Sequence, residues 1–257
     1  MVIVQSLWVG PRLSRMEYYS ILSFLKLGYE YHLYTYEKVA NVPKGTKIKD
    51  ANDIMKQNEV FSLKASFLPF SDIWRYKLLY EKGGYWVDLD MIALKVFDFK
   101  QDFVFSSERT IQKGAYKSKA KYNANIGVLR APPKTDFYLE AYNKCLAYNK
   151  KHKNDDKLKY MKMLRKLIKK YGYQKFVKRP TQFCHLNWWH IKEAFSPLAS
   201  FEGKYGVPGS SAKSMFSKPY TVHFWRDRIT KKYKHDLDEK YDDKSLWEKM
   251  IKHIDNL

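Results

Sequence analysis

The sequence predicts an α/β fold with a mixed, mostly parallel central β-sheet flanked by helices. The chain opens with an apolar strand pattern at residues 2–7, a helical pattern at 14–27 and an alternating strand pattern at 31–36. This β-α-β order is typical of the nucleotide-binding half of α/β proteins. Two further apolar runs, at residues 103–105 and 122–130, have the composition of buried strands.

Length and composition predict one folded domain. The chain has 257 residues, of which 45% are hydrophobic and 17% aromatic. A chain of this size can bury a substantial core, so we expect a single domain over residues 1–257. Helical patterns at residues 136–150 and 155–171 predict helical additions in the C-terminal half.

The first elements lead to two candidate ligand contacts. The first strand ends at a Trp-Val-Gly-Pro turn that begins at Trp8. Ligands of α/β folds bind at the carboxyl edge of the sheet, so Trp8 is a candidate contact, although a core tryptophan is an equally good interpretation. The helix at 14–27 ends at Gly28, and the next strand contains Tyr34. Residues 41–55 are expected to form a loop, a short edge strand and a brief helix.

The most informative stretch is 70–92. Ser71 has the side chain of a helix N-cap, and Gly83 has the freedom to end the helix in a left-handed conformation. Within this helix Asp72 and Arg75 are three positions apart and share a face. After the double glycine, residues 85–87 have high strand propensity.

Two carboxylates follow that strand at once. Because strand side chains alternate, Asp88 and Asp90 are expected to point to the same face. Paired carboxylates at the end of a buried strand are costly to leave unpaired, and a hard divalent cation is the usual partner. An isolated Asp-x-Asp is a weak signal, but here it follows a helix, a Gly-Gly turn and an aromatic strand in one block.

This block resembles the sugar-binding region of DXD-containing glycosyltransferases of the GT-A fold, close to glycosyltransferase family 32 and related capsular-polysaccharide enzymes. The matching positions are Ser71, Asp72, Arg75, Tyr76, Leu79, Tyr80, Gly83, Gly84, Trp86, Asp88 and Asp90. The resemblance implies a GT-A fold and a metal, Mn²⁺ or Mg²⁺, held by Asp88, Asp90 and His223. It implies that Asp90 is a direct ligand, while Asp88 acts through water or binds the ribose.

The resemblance also implies a nucleotide-sugar donor, with UDP favoured and GDP as the alternative, and an acceptor hydroxyl on a glycan or lipid-linked molecule. Residues 1–130 would bind the donor and the metal, and residues 131–257 the acceptor. The implied donor-binding residues are Trp8, Tyr34, Asp72, Arg75, Asp88, Asn123, Asn125 and Trp225. Asp72 and Arg75 would bind either sugar hydroxyls or each other. The motif assigns no general base; Glu108, at a strand end, is the candidate, and retention or inversion of the anomeric configuration stays open.

Charge admits two other function classes. The 48 Lys and Arg residues exceed the 27 Asp and Glu residues, for a net charge of +21, which favours anionic partners. A metal-dependent nucleic-acid-processing enzyme would use the charge and the carboxylates, but no further acidic ligand is evident near Asp88. A non-catalytic nucleic-acid-binding or membrane-binding protein would leave Asp-x-Asp unexplained. We therefore expect no nucleic-acid partner.

Location is predicted from three features. Cys145 and Cys184 are far apart and have no metal-ligand spacing, which suits a reducing compartment. The sequence has neither a long apolar run nor the pattern of a secretory signal, so a cytoplasmic location is expected. The basic amphipathic pattern at 155–171 suits either ordinary packing or peripheral contact with an anionic membrane.

The C-terminal part contains three more patterns. Residues 185–190 form a dense aromatic and polar cluster that suits either sugar packing or a packed interior. Residues 219–225 read as a strand that places His223 and Trp225 on one face. Residues 226–257 are highly charged and predict a peripheral helix.

Overall fold

A six-stranded mixed sheet forms the centre of the computed structural model, which describes residues 2–63, 66–111, 122–152, 160–197, 200–204, 207–217 and 219–257. The strands are β1 (Ile3–Trp8), β2 (Glu30–Thr35), β3 (Lys47–Asp50), β4 (Gly84–Val87), β5 (Met91–Ala93), β6 (Val104–Arg109), β7 (Tyr122–Ala131), β8 (Ser200–Phe201), β9 (Ser210–Ser211) and β10 (Thr221–His223). The sheet order is β3-β2-β1-β4-β7-β6. The first four of these run parallel, and β7 is antiparallel to both β4 and β6.

Helices cover the sheet and extend the C-terminal half. They are α1 (Arg15–Lys26), α2 (Leu68–Glu81), α3 (Asp136–Lys151), α4 (Tyr160–Lys170), α5 (Pro180–Phe183), α6 (Ala212–Ser217) and α7 (Leu246–Asp255). The predicted fold class is confirmed, including the helical additions. Part of the helix predicted at 155–171 lies outside the described residues; α4 accounts for the rest. None of the helices in the described ranges is long and apolar enough to cross a bilayer.

Local sequence explains α1. Ser14 is the N-cap residue of α1 and has extended backbone angles. Its N–H donates to Glu17 Oε2 at 2.8 Å as part of a capping box. The helix buries Ile21 and Phe24 against the sheet and Met16 in the C-terminal apolar cluster, as the apolar stripe predicts. This helix therefore fixes the beginning of the chain against the strands.

The start of α2 differs from the prediction. The helix begins at Leu68 with Pro69 in its first turn and Phe67 at the N-cap, so Ser71 lies inside it. Proline suits the first turn because its missing N–H would have no helical partner there and its φ is already helical. The Ser71 hydroxyl accepts from Arg75 Nη2 at 3.1 Å instead of capping the helix.

The end of α2 follows the prediction. Gly83 has φ +63°, and its N–H donates to the Leu79 carbonyl at 3.1 Å. A Cβ at Gly83 would lie 2.6 Å from the backbone nitrogen of Pro133, so only glycine fits this turn. The tight turn brings β4 directly back into the sheet beside β1.

The C-terminal helix α7 is more than peripheral. Trp247, Met250 and Ile254 on one face are almost fully buried, and α7 packs against α1. The Ser245 side chain caps it by accepting from the Glu248 N–H at 3.2 Å. The prediction from charge alone missed this apolar face, because the flanking residues 226–244 supply most of the charge.

Candidate functional site

Three potential metal ligands meet where β4 ends. Asp88 and Asp90 lie in the turn between β4 and β5, and His223 ends β10, which pairs antiparallel with β5. The ligand atoms of all three side chains lie within 4.8 Å of one another. The prediction that strand alternation aligns the aspartates was wrong, because the strand stops at Val87; the turn brings them together instead.

Asp90 is held by two donors. Its Oδ1 lies 3.0 Å from His223 Nε2, and its Oδ2 accepts from the Arg226 backbone N–H at 2.7 Å. Burial acts to raise the pKa of Asp90, but the charges and hydrogen bonds of His223 and Arg226 together hold this pKa below its usual value. Asp90 is therefore a carboxylate at neutral pH.

Asp88 has a different environment. Its Oδ1 accepts from Arg75 Nη1 at 2.9 Å and from Trp86 Nε1 at 2.8 Å. Burial raises the pKa of Asp88, Arg75 opposes this change, and the neighbouring Asp90 charge adds to it. Two carboxylates this close repel each other, so a cation between them stabilises the ionised pair.

Arg75 orients Asp88 by donating to its Oδ1. The buried guanidinium forms an ion pair with Asp72 at 2.9 Å, donates to the Ile126 carbonyl at 2.9 Å and lies 4.6 Å from the Trp86 ring centroid. Burial raises the pKa of Asp72 to about 7 although Arg75 opposes the shift. Arg75 lines the cleft described below, whereas Asp72 lies behind it. Of the two predicted alternatives for Asp72, the structure shows the contact with Arg75.

The donor set fits a divalent cation. Two carboxylates and one imidazole suit Mn²⁺ or Mg²⁺, and the atoms are close enough to share one ion. Burial favours neutral His223, but the Asp90 charge raises the pKa of His223 well above its usual value. A cation would take the place of the imidazole proton, since only neutral imidazole can be a ligand.

A cleft of about 1160 Å³ surrounds these residues. It is lined by most of the predicted site residues, namely Trp8, Arg75, Asp88, Asp90, Glu108, Asn123, Asn125, His223 and Trp225. Its volume exceeds the upper end of the range of about 300–1,000 Å³ that is usual for small-molecule sites. The cleft therefore has room for a nucleotide sugar and part of a second molecule.

Tyr34 does not line the cleft. Its ring packs edge-on against Trp74 at 5.1 Å, and its hydroxyl donates to Gln5 Oε1 at 3.4 Å. It lies in the core beneath β1, where the alternation of β2 places it. The prediction that Tyr34 contacts the nucleotide thus lacks support from the structure.

Two tryptophans flank the cluster. Trp225 stacks on His223 with ring centroids 3.9 Å apart, and it adopts φ +52°, a strained conformation for a residue other than glycine. Trp8 ends β1, and the Arg226 guanidinium lies 5.6 Å from its ring centroid. Among the described residues, no group accepts a hydrogen bond from the buried Trp8 Nε1.

Asn125 connects the strand β7 to the metal cluster. Its Oδ1 accepts from the Ser106 hydroxyl, and its Nδ2 donates to Cys184 Sγ at 3.3 Å. That sulfur lies 3.7 Å from His223 Nδ1. Asn125 is therefore occupied by protein partners, whereas Asn123 is exposed in the cleft. No spacing in the sequence signals the position of Cys184 next to His223.

Glu108 lies at the end of β6 and lines the cleft. Its carboxylate is 3.6 Å from Arg165 Nη2. Burial raises the pKa of Glu108, and the charges of Arg165, His223 and Arg228 oppose the increase. A carboxyl group with a raised pKa is suited to accept and release a proton near neutral pH.

Comparison with known protein families gives a match that contains the two aspartates. Residues 14–111 match the family described as the glycosyltransferase sugar-binding region containing DXD motif. The matched region contains α1, α2 and the Asp88-Leu89-Asp90 turn. A solved structure of the PaToxG glycosyltransferase is 14% identical, covers 66% of this chain and 69% of its own, and has a TM-score of 0.47. No curated protein sequence matches the chain significantly.

Proposed function

We propose that this chain, a glycosyltransferase with a DXD-containing sugar-binding region, moves a sugar from a nucleotide-sugar donor to an acceptor hydroxyl in a metal-dependent reaction. One observation carries the proposal: the ligand atoms of Asp88, Asp90 and His223 lie within 4.8 Å of one another in a cleft of about 1160 Å³. We favour a UDP-linked donor, with a GDP-linked donor as the alternative, and a glycan or lipid-linked acceptor.

The proposed cation supplies one part of the chemistry. Mn²⁺ or Mg²⁺, when bound, neutralises charge on the leaving diphosphate. Asp90 and His223 would hold the ion directly, and Asp88 would hold it through its second oxygen, through water, or bind the ribose. The Arg75 and Trp86 donors fix Asp88 Oδ1, which leaves the other oxygen, Oδ2, to face the ligand.

Other residues would bind the substrates. Trp8 and Trp225 offer ring faces at the cleft wall, and Asn123 offers an amide that can donate to and accept from sugar hydroxyls. Glu108 would take the proton of the acceptor hydroxyl. Its place in the same cleft supports this role, as does the pKa that burial raises.

We further propose that residues 1–257 act as one domain, with the donor and metal bound mainly by residues 1–130 and the acceptor by 131–257. Two of the three candidate metal ligands, Asp88 and Asp90, come from residues 1–130. His223 comes from β10, so the C-terminal part completes the cluster.

The experiment is a screen of nucleotide sugars for metal-dependent hydrolysis or transfer, with Mn²⁺, with Mg²⁺ and with a chelator. We expect one or a few donors to be cleaved only with metal. The Asp90→Asn variant should lose this activity and keep its fold. Asp102→Asn, the same change at an exposed position outside the cleft, should keep the activity.

Thermal shifts separate the rival classes. A ligand that binds only the folded state raises its melting temperature. UDP or GDP should raise the melting temperature more with Mn²⁺ than without it. Stabilisation by DNA alone, with no effect of either nucleotide, would instead favour a nucleic-acid-binding protein.

A cytoplasmic location with peripheral contact to an anionic membrane is part of the proposal. The exposed face of α4 carries Lys162, Lys166 and Lys169, and the net charge of +21 favours anionic surfaces. Cosedimentation should show binding to vesicles that contain phosphatidylglycerol and little binding to pure phosphatidylcholine. A Lys162→Glu/Lys166→Glu variant should bind the anionic vesicles more weakly; unchanged binding would exclude this face.

A further inference from the structure

One arginine of the cleft has no carboxylate partner among the residues that the structure describes. Arg109 ends β6, lines the cleft, and its Nη1 donates to Asn187 Oδ1 at 2.9 Å and to the His185 carbonyl at 3.2 Å. Both acceptors are neutral. Burial lowers the pKa of Arg109, which shows that its charge is poorly solvated. A cation in this state gains stability from any anion that enters the cleft.

A second arginine lies on the same wall. The Arg228 guanidinium is 4.0 Å from the ring centroid of Trp188, the residue after the Asn187 that accepts from Arg109. Arg228 and Trp188 both line the cleft. Stacking on an aromatic face holds a guanidinium in one plane and leaves its N–H groups free to bind. Within the described part of the chain, no carboxylate lies within ion-pair distance of Arg109 or Arg228.

The other cleft arginines already have carboxylate partners. Arg226 pairs with Glu17 at 2.5 Å, and Arg75 pairs with Asp72 and Asp88. Arg165 lies 3.6 Å from Glu108. Arg109 and Arg228 therefore differ from these arginines, because no carboxylate among the described residues pairs with them.

The position of this pair relative to the metal cluster indicates which ligand it meets. Consecutive strand residues point to opposite faces, so Glu108 and Arg109 do not lie side by side, but both line the cleft. The Arg228 charge acts to lower the pKa of Glu108, so the pair reaches the candidate base through Arg228. The donor diphosphate would be bound at Asp88, Asp90 and His223, whose cation matches its charge. An anion beside Glu108 would belong to the molecule whose hydroxyl Glu108 deprotonates.

We propose that Arg109 and Arg228 form a subsite for an anionic group of the acceptor, a carboxylate or a phosphate close to the reacting hydroxyl. We call it the arginine subsite. It rests on the proposed function and adds the substrate class: the acceptor is an acidic or phosphorylated saccharide rather than a neutral one. Planar, bidentate guanidinium donors match both anions.

Calorimetric titration tests the subsite with three probes: glucose, glucuronate and glucose 6-phosphate. The wild-type protein is first saturated with UDP and Mn²⁺, so that the donor site is filled. We expect at least one anionic sugar to bind about tenfold or more tightly than glucose, as hydrogen bonds to a charged group predict. Preference between glucuronate and the phosphate identifies the anion.

Variants assign the binding to the arginines. Arg109→Gln and Arg228→Gln should each weaken binding of the anionic sugar about tenfold and leave glucose unaffected. Arg228 lies outside the central sheet, in the segment after β10, so its variant tests the subsite even if Arg109→Gln unfolds, which circular dichroism would reveal. Arg179→Gln removes the same charge at an exposed position outside the cleft and should bind like the wild type.

Three results would overturn the arginine subsite. The first is equal affinity for glucose and both anionic sugars, and the second is tight binding that survives both substitutions. The third is competition between UDP with Mn²⁺ and the anionic sugars, which would assign the arginines to the donor diphosphate. Failure of the proposed function gives a different pattern: UDP with Mn²⁺ would not bind, while the anionic sugars would still bind through the arginines.

Discussion

Replacement of Arg75 by alanine should destabilise the fold and the metal cluster together. Arg75 is 2% exposed, and its guanidinium contacts Asp72, Asp88, the Ile126 carbonyl and the Ser71 hydroxyl at 2.9–3.1 Å. Removing one partner of a buried ion pair costs about 3–5 kcal/mol, because the other charge is left uncompensated. For a chain of this size, about 2–4 °C per kcal/mol gives a melting temperature lower by about 6–20 °C.

The pH dependence of this loss has a defined sign. Burial already raises the pKa of Asp72 to about 7, and Arg75 opposes that shift. Without Arg75 the pKa should rise further, so the folded variant must either bind a proton or bury an unpaired charge. At pH 5 Asp72 is mostly neutral in both proteins, and the difference in unfolding free energy is smaller. At pH 8 the wild-type carboxylate is ionised and paired, and the difference is larger.

Urea denaturation at pH 5 and pH 8 measures both effects. A second substitution, Asp72→Asn, removes the stranded charge and should restore part of the stability lost in Arg75→Ala. Arg130→Ala is the control: Arg130 donates to two backbone carbonyls, of Phe99 at 2.7 Å and Gln101 at 2.8 Å, and should cost only about 1–3 kcal/mol. A loss below 1 kcal/mol in Arg75→Ala, or an equal loss at both pH values, would refute the ion-pair account.

Three further predictions concern single positions. Glu108→Gln should lower the transfer rate about 10²- to 10⁴-fold and remove the rise of kcat/KM with pH, because a base must be deprotonated to act; an unchanged pH–rate profile would rule out this role. Cys184→Ala should weaken Mn²⁺ binding about tenfold in calorimetric titration, because it frees the His223 ring. Cys145→Ala, at the other buried cysteine, should leave the affinity unchanged. Equal Mn²⁺ affinities of the two variants would contradict a role for the contact between Cys184 and His223. Gly83→Ala should prevent folding or lower the melting temperature far more than Gly28→Ala, which meets no atom within 4 Å, and circular dichroism melts of the two should not coincide.

Much of the fold follows from local sequence. The strong signals were an apolar stripe ending in glycine for α1, an apolar run for β1, alternation for β2, and Gly83 at the end of α2. Their predicted bounds differ from the structure by about one residue, the usual uncertainty of element ends. These features depend on neighbours in sequence, so periodicity and turn chemistry suffice to predict them.

The sequence predicted which residues form the site better than it predicted how they come together. Resemblance selected Asp88, Asp90 and His223, but the aspartates converge through a turn and His223 arrives through the pairing of β10 with β5. Asp72 supports Arg75 instead of facing the cleft, and Tyr34 packs in the core. A face of a helix or strand can be derived from periodicity, whereas the neighbour on that face depends on tertiary packing.

Residues without a motif were missed altogether. Cys184, Arg109 and Arg228 approach the site from β6 and from the C-terminal half, and each carries an ordinary residue type at no diagnostic spacing. Arginines were also hard to single out in a chain with 48 Lys and Arg residues. Only the structure shows which of them have carboxylate partners and which line the cleft without one.

The cation site is the central claim, and anomalous diffraction at the manganese absorption edge tests it most directly. Crystals grown with Mn²⁺ and UDP should show an anomalous peak within coordination distance of Asp90 and His223, adjacent to the diphosphate. A peak elsewhere, or an ordered diphosphate with His223 still paired to Asp90 and no manganese between them, would contradict the account.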